Sequence, residues 1–232
     1  MTGTIKRLFL AVGITVSLSA VAQHYAFDYL IISKHRTVSR NFELSVQPKA
    51  LKGKGLKNSQ LINSQNADYK LLFFFDDYNN DRKMGSIVDE KNKVAHGYKL
   101  YPASQGDEIG FRLGYVATYS RKDTEYSPTV EGVQKIGDMI YEITSSNNSK
   151  GKYKLTVRLS ESPDDLLHSV RLEGLGFQED MISQLKKQLD PDKNYFISEY
   201  VEQHIPGSTF HVRTEAKKLK EPLQVQIINK KQ

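Results

Sequence analysis

The 232 residues include no cysteine and no tryptophan. Missing thiols exclude a disulfide scaffold, a thiolate metal centre, an iron–sulfur protein and a cysteine nucleophile. The nucleophile elbow, the phosphate loop and the dinucleotide fingerprint are lacking as well, so no cofactor is expected and the reading leans away from an enzyme. Charge of one sign is also scarce: 33 basic against 27 acidic residues leave a formal +6. That surplus suits a solvated surface, or weak attraction to anionic lipid or polysaccharide. An apolar fraction of 38% and a charged fraction of 26% are those of a chain that folds.

The N-terminus is the most informative segment. Lys6 and Arg7 precede an uncharged apolar run from Leu8, which ends in Ser19-Ala20-Val21-Ala22. Small residues at Ala20 and Ala22 suit signal-peptidase cleavage before Gln23, which makes residues 1–22 a secretory signal peptide and 23–232 a single exported domain. Leu8 to Phe27 has no formal charge over about the length of a membrane-spanning helix, so an uncleaved anchor over 8–27 is the alternative. An exported chain without cysteine must rely on packing alone, which favours a bacterial envelope. The expected location is periplasmic or secreted, with inner-membrane anchoring as the alternative.

Hydropathy along the body alternates at the period of β-strands. Phe42, Leu44 and Val46 read as a half-buried strand closed by Pro48, and Lys49 to Asn66 as a long exposed loop. Tyr69 to Phe75 is apolar on both faces, as in a central strand. Further strands are predicted at Val94 to Tyr101, Glu108 to Tyr119, Met139 to Ile143, Tyr153 to Leu159, Tyr195 to Val201, Thr209 to Thr214 and Leu223 to Ile228. Ala216 to Pro222 reads as a connector, and His35 to Arg40 as another. Ser162-Pro163-Asp164-Asp165 carries a helix start, and Met181, Ile182, Leu185 and Leu189 form the apolar stripe of a helix at about 178–189. The fold class is therefore all-β or β-dominated: an antiparallel sandwich or open barrel of eight to ten strands with one packed α-helix.

Candidate chemistry is sparse. Asp77, Asn79 and Asp81 have the alternate spacing of oxygen ligands that resembles the start of an EF-hand-type calcium loop. The likeness stops at Arg82, where such loops need glycine, and at Val88, where they need a bidentate acid; a polar turn is the competing reading. His204 and His211 straddle Pro206-Gly207 and are expected to approach across a hairpin, with Glu202 as a candidate third metal ligand. The lysine clusters at 49–57 and 217–220 lack interleaved aromatics, which argues against a nucleic-acid partner. The function these features favour is a non-enzymatic exported protein binding another protein or a surface polymer through a sheet edge or the 49–66 loop. Two alternatives remain: a membrane-anchored component of an envelope assembly or secretion system, in contact with the membrane only through its N-terminal segment, and an exported hydrolase.

Overall fold

The computed structural model describes residues 22–39, 41, 43–44, 56–75, 82–102, 111–121, 129–147, 151–170, 175–205 and 207–228. Eleven antiparallel strands form one open sheet: β1 (Ala22–Val38), β2 (Leu56–Asn63), β3 (Asn66–Phe75), β4 (Arg82–Asp89), β5 (Val94–Pro102), β6 (Phe111–Ser120), β7 (Thr129–Gly137), β8 (Ile140–Asn147), β9 (Gly151–Glu161), β10 (Tyr195–Ile205) and β11 (Thr209–Ile228). Their spatial order is β6-β5-β4-β3-β2-β1-β11-β10-β9-β8-β7. Neighbours in the sheet are therefore consecutive in sequence except at the centre, where β1 meets β11, while the consecutive β6 and β7 lie at opposite edges. A 3-10 turn (Leu167–Ser169) and one helix, α1 (Leu175–Lys186), complete the order. The expected β-dominated antiparallel class with one packed helix is what the chain adopts, as a single open sheet and not a sandwich.

Residues that pair across a ladder share a face, and the registers show that the sheet buries both of its faces. On one, Met181 and Leu185 of α1 pack with Tyr141, Ile143, Leu155 and Val157. Leu166, beside the 3-10 turn, continues this cover over Tyr29, Ile31 and Ile62. On the opposite face Leu30, Leu61, Leu71, Phe73 and Ile87 form a second core with Tyr25 and Phe27. Leu30-Ile31 and Leu61-Ile62 are adjacent apolar residues because their strands are covered on both sides. In β9 the buried Tyr153, Leu155, Val157 and Leu159 alternate with partly exposed polar residues, as the period predicts.

Five expectations need correction. His35 to Val38 is no connector but the end of β1, paired with Thr209 to Val212 of β11. Lys49 to Asn66 is not one loop: Leu56–Asn63 is β2, between β1 and β3, and its polar Ser59 and Gln60 are buried. Gln60 belongs there because its Nε2 donates to the Ser169 carbonyl of the covering segment. Glu43 and Leu44 lie outside any strand. Ala216 to Pro222 is no connector but the middle of β11; between the pairs Tyr29–Lys218 and Phe27–Leu223, residues 219–222 bulge opposite Asp28. Pro222 is tolerated in that bulge because the ladder asks no N–H of it. Finally, the helical turn foreseen at Ser162 forms only at Leu167, whose N–H is held by Asp165 Oδ1 at 3.2 Å. Residues 22–27, the end of the apolar N-terminal run, lie in β1, and residues 1–21 fall outside the described residues.

Candidate functional site

The helix-covered face becomes bare toward the β6 edge. There β4 contributes Met84, β5 contributes Ala95, Gly97, Lys99 and Tyr101, and β6 contributes Arg112, Gly114, Ala117 and Tyr119. Tyr101 and Tyr119 are 52% and 56% exposed, and Met84 is 51% exposed. Both tyrosines lean onto a glycine of the neighbouring strand. A Cβ built on Gly114 would lie 2.5 Å from Tyr101 Cε2, and one on Gly97 would lie 3.3 Å from Tyr119 Cε2. The two glycines are therefore seats for aromatic rings. From strand spacing, the two seats are roughly 8 Å apart. Lys99 and Arg112 are exposed beside them. The result is a patch of two half-exposed phenol rings, each leaning on a glycine, with hydrogen-bond donors alongside.

A chain of hydrogen bonds runs through the other face of the same strands. Tyr25 Oη donates to Asp89 Oδ2 at 2.8 Å, and Asn92 donates to Asp89 through its backbone N and through Nδ2, each at 2.8 Å. Because the Tyr25 proton is committed to the carboxylate, the Tyr25 oxygen accepts from His96 Nε2, 3.0 Å away. The other ring nitrogen, Nδ1, is then the acceptor for the Thr118 hydroxyl at 2.7 Å, and Thr118 accepts in turn from Tyr115 Oη at 2.8 Å. The direction of every proton is thus fixed from Asp89 to the edge. His96 is 0% exposed, and burial holds its pKa below the ordinary value against the pull of Asp89. Burial also raises the carboxyl of Asp89, but the bonds from Asn92 and Tyr25 outweigh it and the net shift is downward. Burial pushes the Tyr25 phenol well above its usual range, with Asp89 adding to the shift. Tyr98, edge-to-face with Tyr115 at 5.8 Å between centroids, is pushed by burial to about 12.

A second polar centre lies between β9, β10 and β11. Glu199 receives His211 Nε2 at 2.8 Å and Arg213 Nε at 2.7 Å on one oxygen, and Arg158 Nε at 3.0 Å on the other. Burial raises the Glu199 carboxyl, yet the three donors bring it down to about 2. This is a satisfied buried ion cluster.

The hairpin expected at Pro206-Gly207 is present, as β10 and β11. It does not bring the two histidines together. His211 pairs with Val201 and points with Glu199, whereas His204 lies on the face of Tyr153, 5.2 Å from that ring, and bonds Glu202 Oε1 at 3.1 Å. The alternation of a strand separates them, and among the described residues no group of three His, Cys, Asp or Glu side chains is placed to hold a metal ion. Asp77, Asn79 and Asp81 lie outside the described residues. Sequence reasoning missed the Asp89–His96 chain because its members come from four strands; the one local signal was the Asp89 to Asn92 spacing of an Asx turn.

No family model and no curated protein matches this chain. Among solved structures it is similar to a LolA superfamily protein from Nitrosomonas europaea, at 8% identity and a TM-score of 0.29 over 85% of this chain and 87% of that one. A likeness of that size carries no argument about ligand or mechanism.

Proposed function

We propose that the chain is a non-enzymatic binding protein of the cell envelope that holds a surface polymer on the Tyr101–Tyr119 platform. The observation that carries this reading is the pair of half-exposed phenol rings seated on Gly114 and Gly97. A sugar ring has an apolar C–H face and a rim of hydroxyls. Exposed phenol rings meet the first, and the donors of Lys99 and Arg112 meet the second. Rigid aromatics of two torsions lose little entropy on binding, which is why such residues dominate interfaces. The 56–66 half of the once-expected loop is strand and turn, so the sheet edge carries the reading in its place.

The envelope setting rests on Lys6, Arg7 and the apolar run to Ala22. Intact mass after cell fractionation tests it: a soluble species beginning at Gln23 supports a free exported protein. A membrane-bound species retaining Lys6 and Arg7 supports the anchored alternative. Binding is tested by co-sedimentation with insoluble cell-wall glycan. Replacing Tyr101 and Tyr119 together by Ala is expected to weaken it by about tenfold or more, the size of losing one or two aromatic anchors. Equal sedimentation of the double variant removes the platform reading.

A further inference from the structure

The two edges of the sheet are built differently. β7 carries Glu131 and Lys135 and is broken by two register shifts, between Val130 and Gly132 and between Lys135 and Gly137. Bulges and alternating charge are how proteins blunt an edge against pairing. β6 is ten residues long with one formal charge, Arg112, and no proline. Arg112, Tyr115, Val116, Thr118, Tyr119 and Ser120 are exposed along it. Among the described residues nothing hydrogen-bonds in ladder fashion to its outer side. Such a strand is a template for another strand.

We infer that β6 pairs antiparallel with β6 of a second copy of this chain across a two-fold axis between Tyr115 and Val116. An antiparallel pair across a two-fold axis normal to the sheet must match each face with itself. In a regular strand of ten residues, pairing first with last brings odd positions against even ones, and the faces clash. β6 is not regular. Its ladder with β5 shifts between the pairs Gly97–Ala117 and Tyr98–Tyr115, so Val116 is an extra residue that reverses the alternation half-way along. Arg112 and Gly114 therefore share a face with Ala117 and Tyr119, while Leu113 and Tyr115 share the other with Thr118.

With that reversal, pairing all ten residues of β6 with the same ten of a second copy matches every face. Arg112 meets Tyr119 at each end, a cation on a ring; Leu113 meets Thr118; and Gly114 meets Ala117, two small residues near the axis. The two arginines lie at opposite ends and never meet, so the single charge per strand attracts and does not repel. The product is one continuous sheet of two elevens, with both phenol platforms side by side on one face. This inference does not rest on the polymer reading, since it uses the backbone edge and can be measured with no ligand present.

The full chain's mass in solution is measured by light scattering at tens of micromolar, alongside Val116→Lys. That change sets two ammonium groups at the axis and lies at an exposed position off the platform. A dimer that becomes a monomer in the variant supports the inference. A monomeric parent overturns it, and so does a dimer indifferent to the lysine. The register has its own test, because the chain has no thiol of its own. Arg112→Cys and Tyr119→Cys proteins are expected to form a disulfide-linked dimer when mixed and oxidised, and none when oxidised separately. Cross-linking of either variant by itself overturns the register. Co-sedimentation of the Val116→Lys monomer with cell-wall glycan keeps failure of the dimer distinct from failure of the platform.

Discussion

Tyr25 is where the buried hydrogen-bond chain is most exposed to a single atom's loss. Tyr25→Phe keeps the ring in its core but leaves the His96 Nε2 proton without an acceptor and removes one of three donors to Asp89. A buried donor without a partner costs about 1–3 kcal/mol, and that loss is expected in urea unfolding. His96 also fixes a pH dependence. Its pKa is lowered from 6.5 in the fold, so the neutral form is the folded one and the unfolded chain takes up the proton first. Its stabilisation is complete above about pH 6.5 and is lost as the pH falls toward the folded value. His168, lowered by burial against the pull of the Asn63 carbonyl, contributes with the same sign. Glu199, brought to about 2 from 4.5, adds a lower window, its stabilisation fading between about pH 4.5 and 2. Stability measured from pH 7 to 2 should therefore fall in two stages, and His96→Gln should shrink the upper one to the part that His168 contributes. Glu199→Ala, which removes the carboxylate that Arg158, Arg213 and His211 share, is expected to cost about 3–5 kcal/mol.

At the scale of elements, β5 and β6 predict their own response to a methyl group. Gly114→Ala brings Cβ against the Tyr101 ring, but that ring is the far end of an exposed side chain and can swing away. The expected outcome is a change in unfolding free energy of less than about 1 kcal/mol together with loss of glycan co-sedimentation. Strands with one wet face were legible from the sequence. Tyr153 to Leu159 alternates cleanly because one side meets α1 and the other meets water. The stripe of α1 was legible too, although the helix ends at Lys186 and Leu189 packs on the core from beyond it. β2, β4 and β7 were not seen. Their polar residues, such as the buried Ser59 and Gln60 or the edge residues Glu131 and Lys135, obey neighbours far along the chain and not a local period. Val116 was invisible for the same reason, since a bulge is defined only against its partner strand. Of the site, the rings that lean on Gly97 and Gly114 come from the neighbouring strand, a pairing that no local period announces.

For the whole molecule, the decisive fact is that the two cores lie on opposite faces and meet at β11, which gives Val212 to one and Leu219 and Ile227 to the other. Leu61→Ala and Leu155→Ala, one in each core and both wholly buried, are each expected to cost about 2–5 kcal/mol. With no shared neighbours, their effects should add in the double variant; a shortfall beyond about 0.5 kcal/mol in a urea series would mean that the cores couple through the sheet. Amide exchange should be slowest along Tyr29 to His35 of β1 and Thr209 to Arg213 of β11, which are flanked by paired strands on both sides.

The seam between β1 and β11 also sets a clock on biosynthesis. Tyr29 finds Lys218 only after nearly the whole chain has been made. Until then the ribosome has delivered two half-sheets, each with a raw inner edge where the other belongs. Closing so long a loop is slow, and everything that depends on the seam waits for it. A truncation before Thr209 would leave that inner edge of β1 open to strands of other chains.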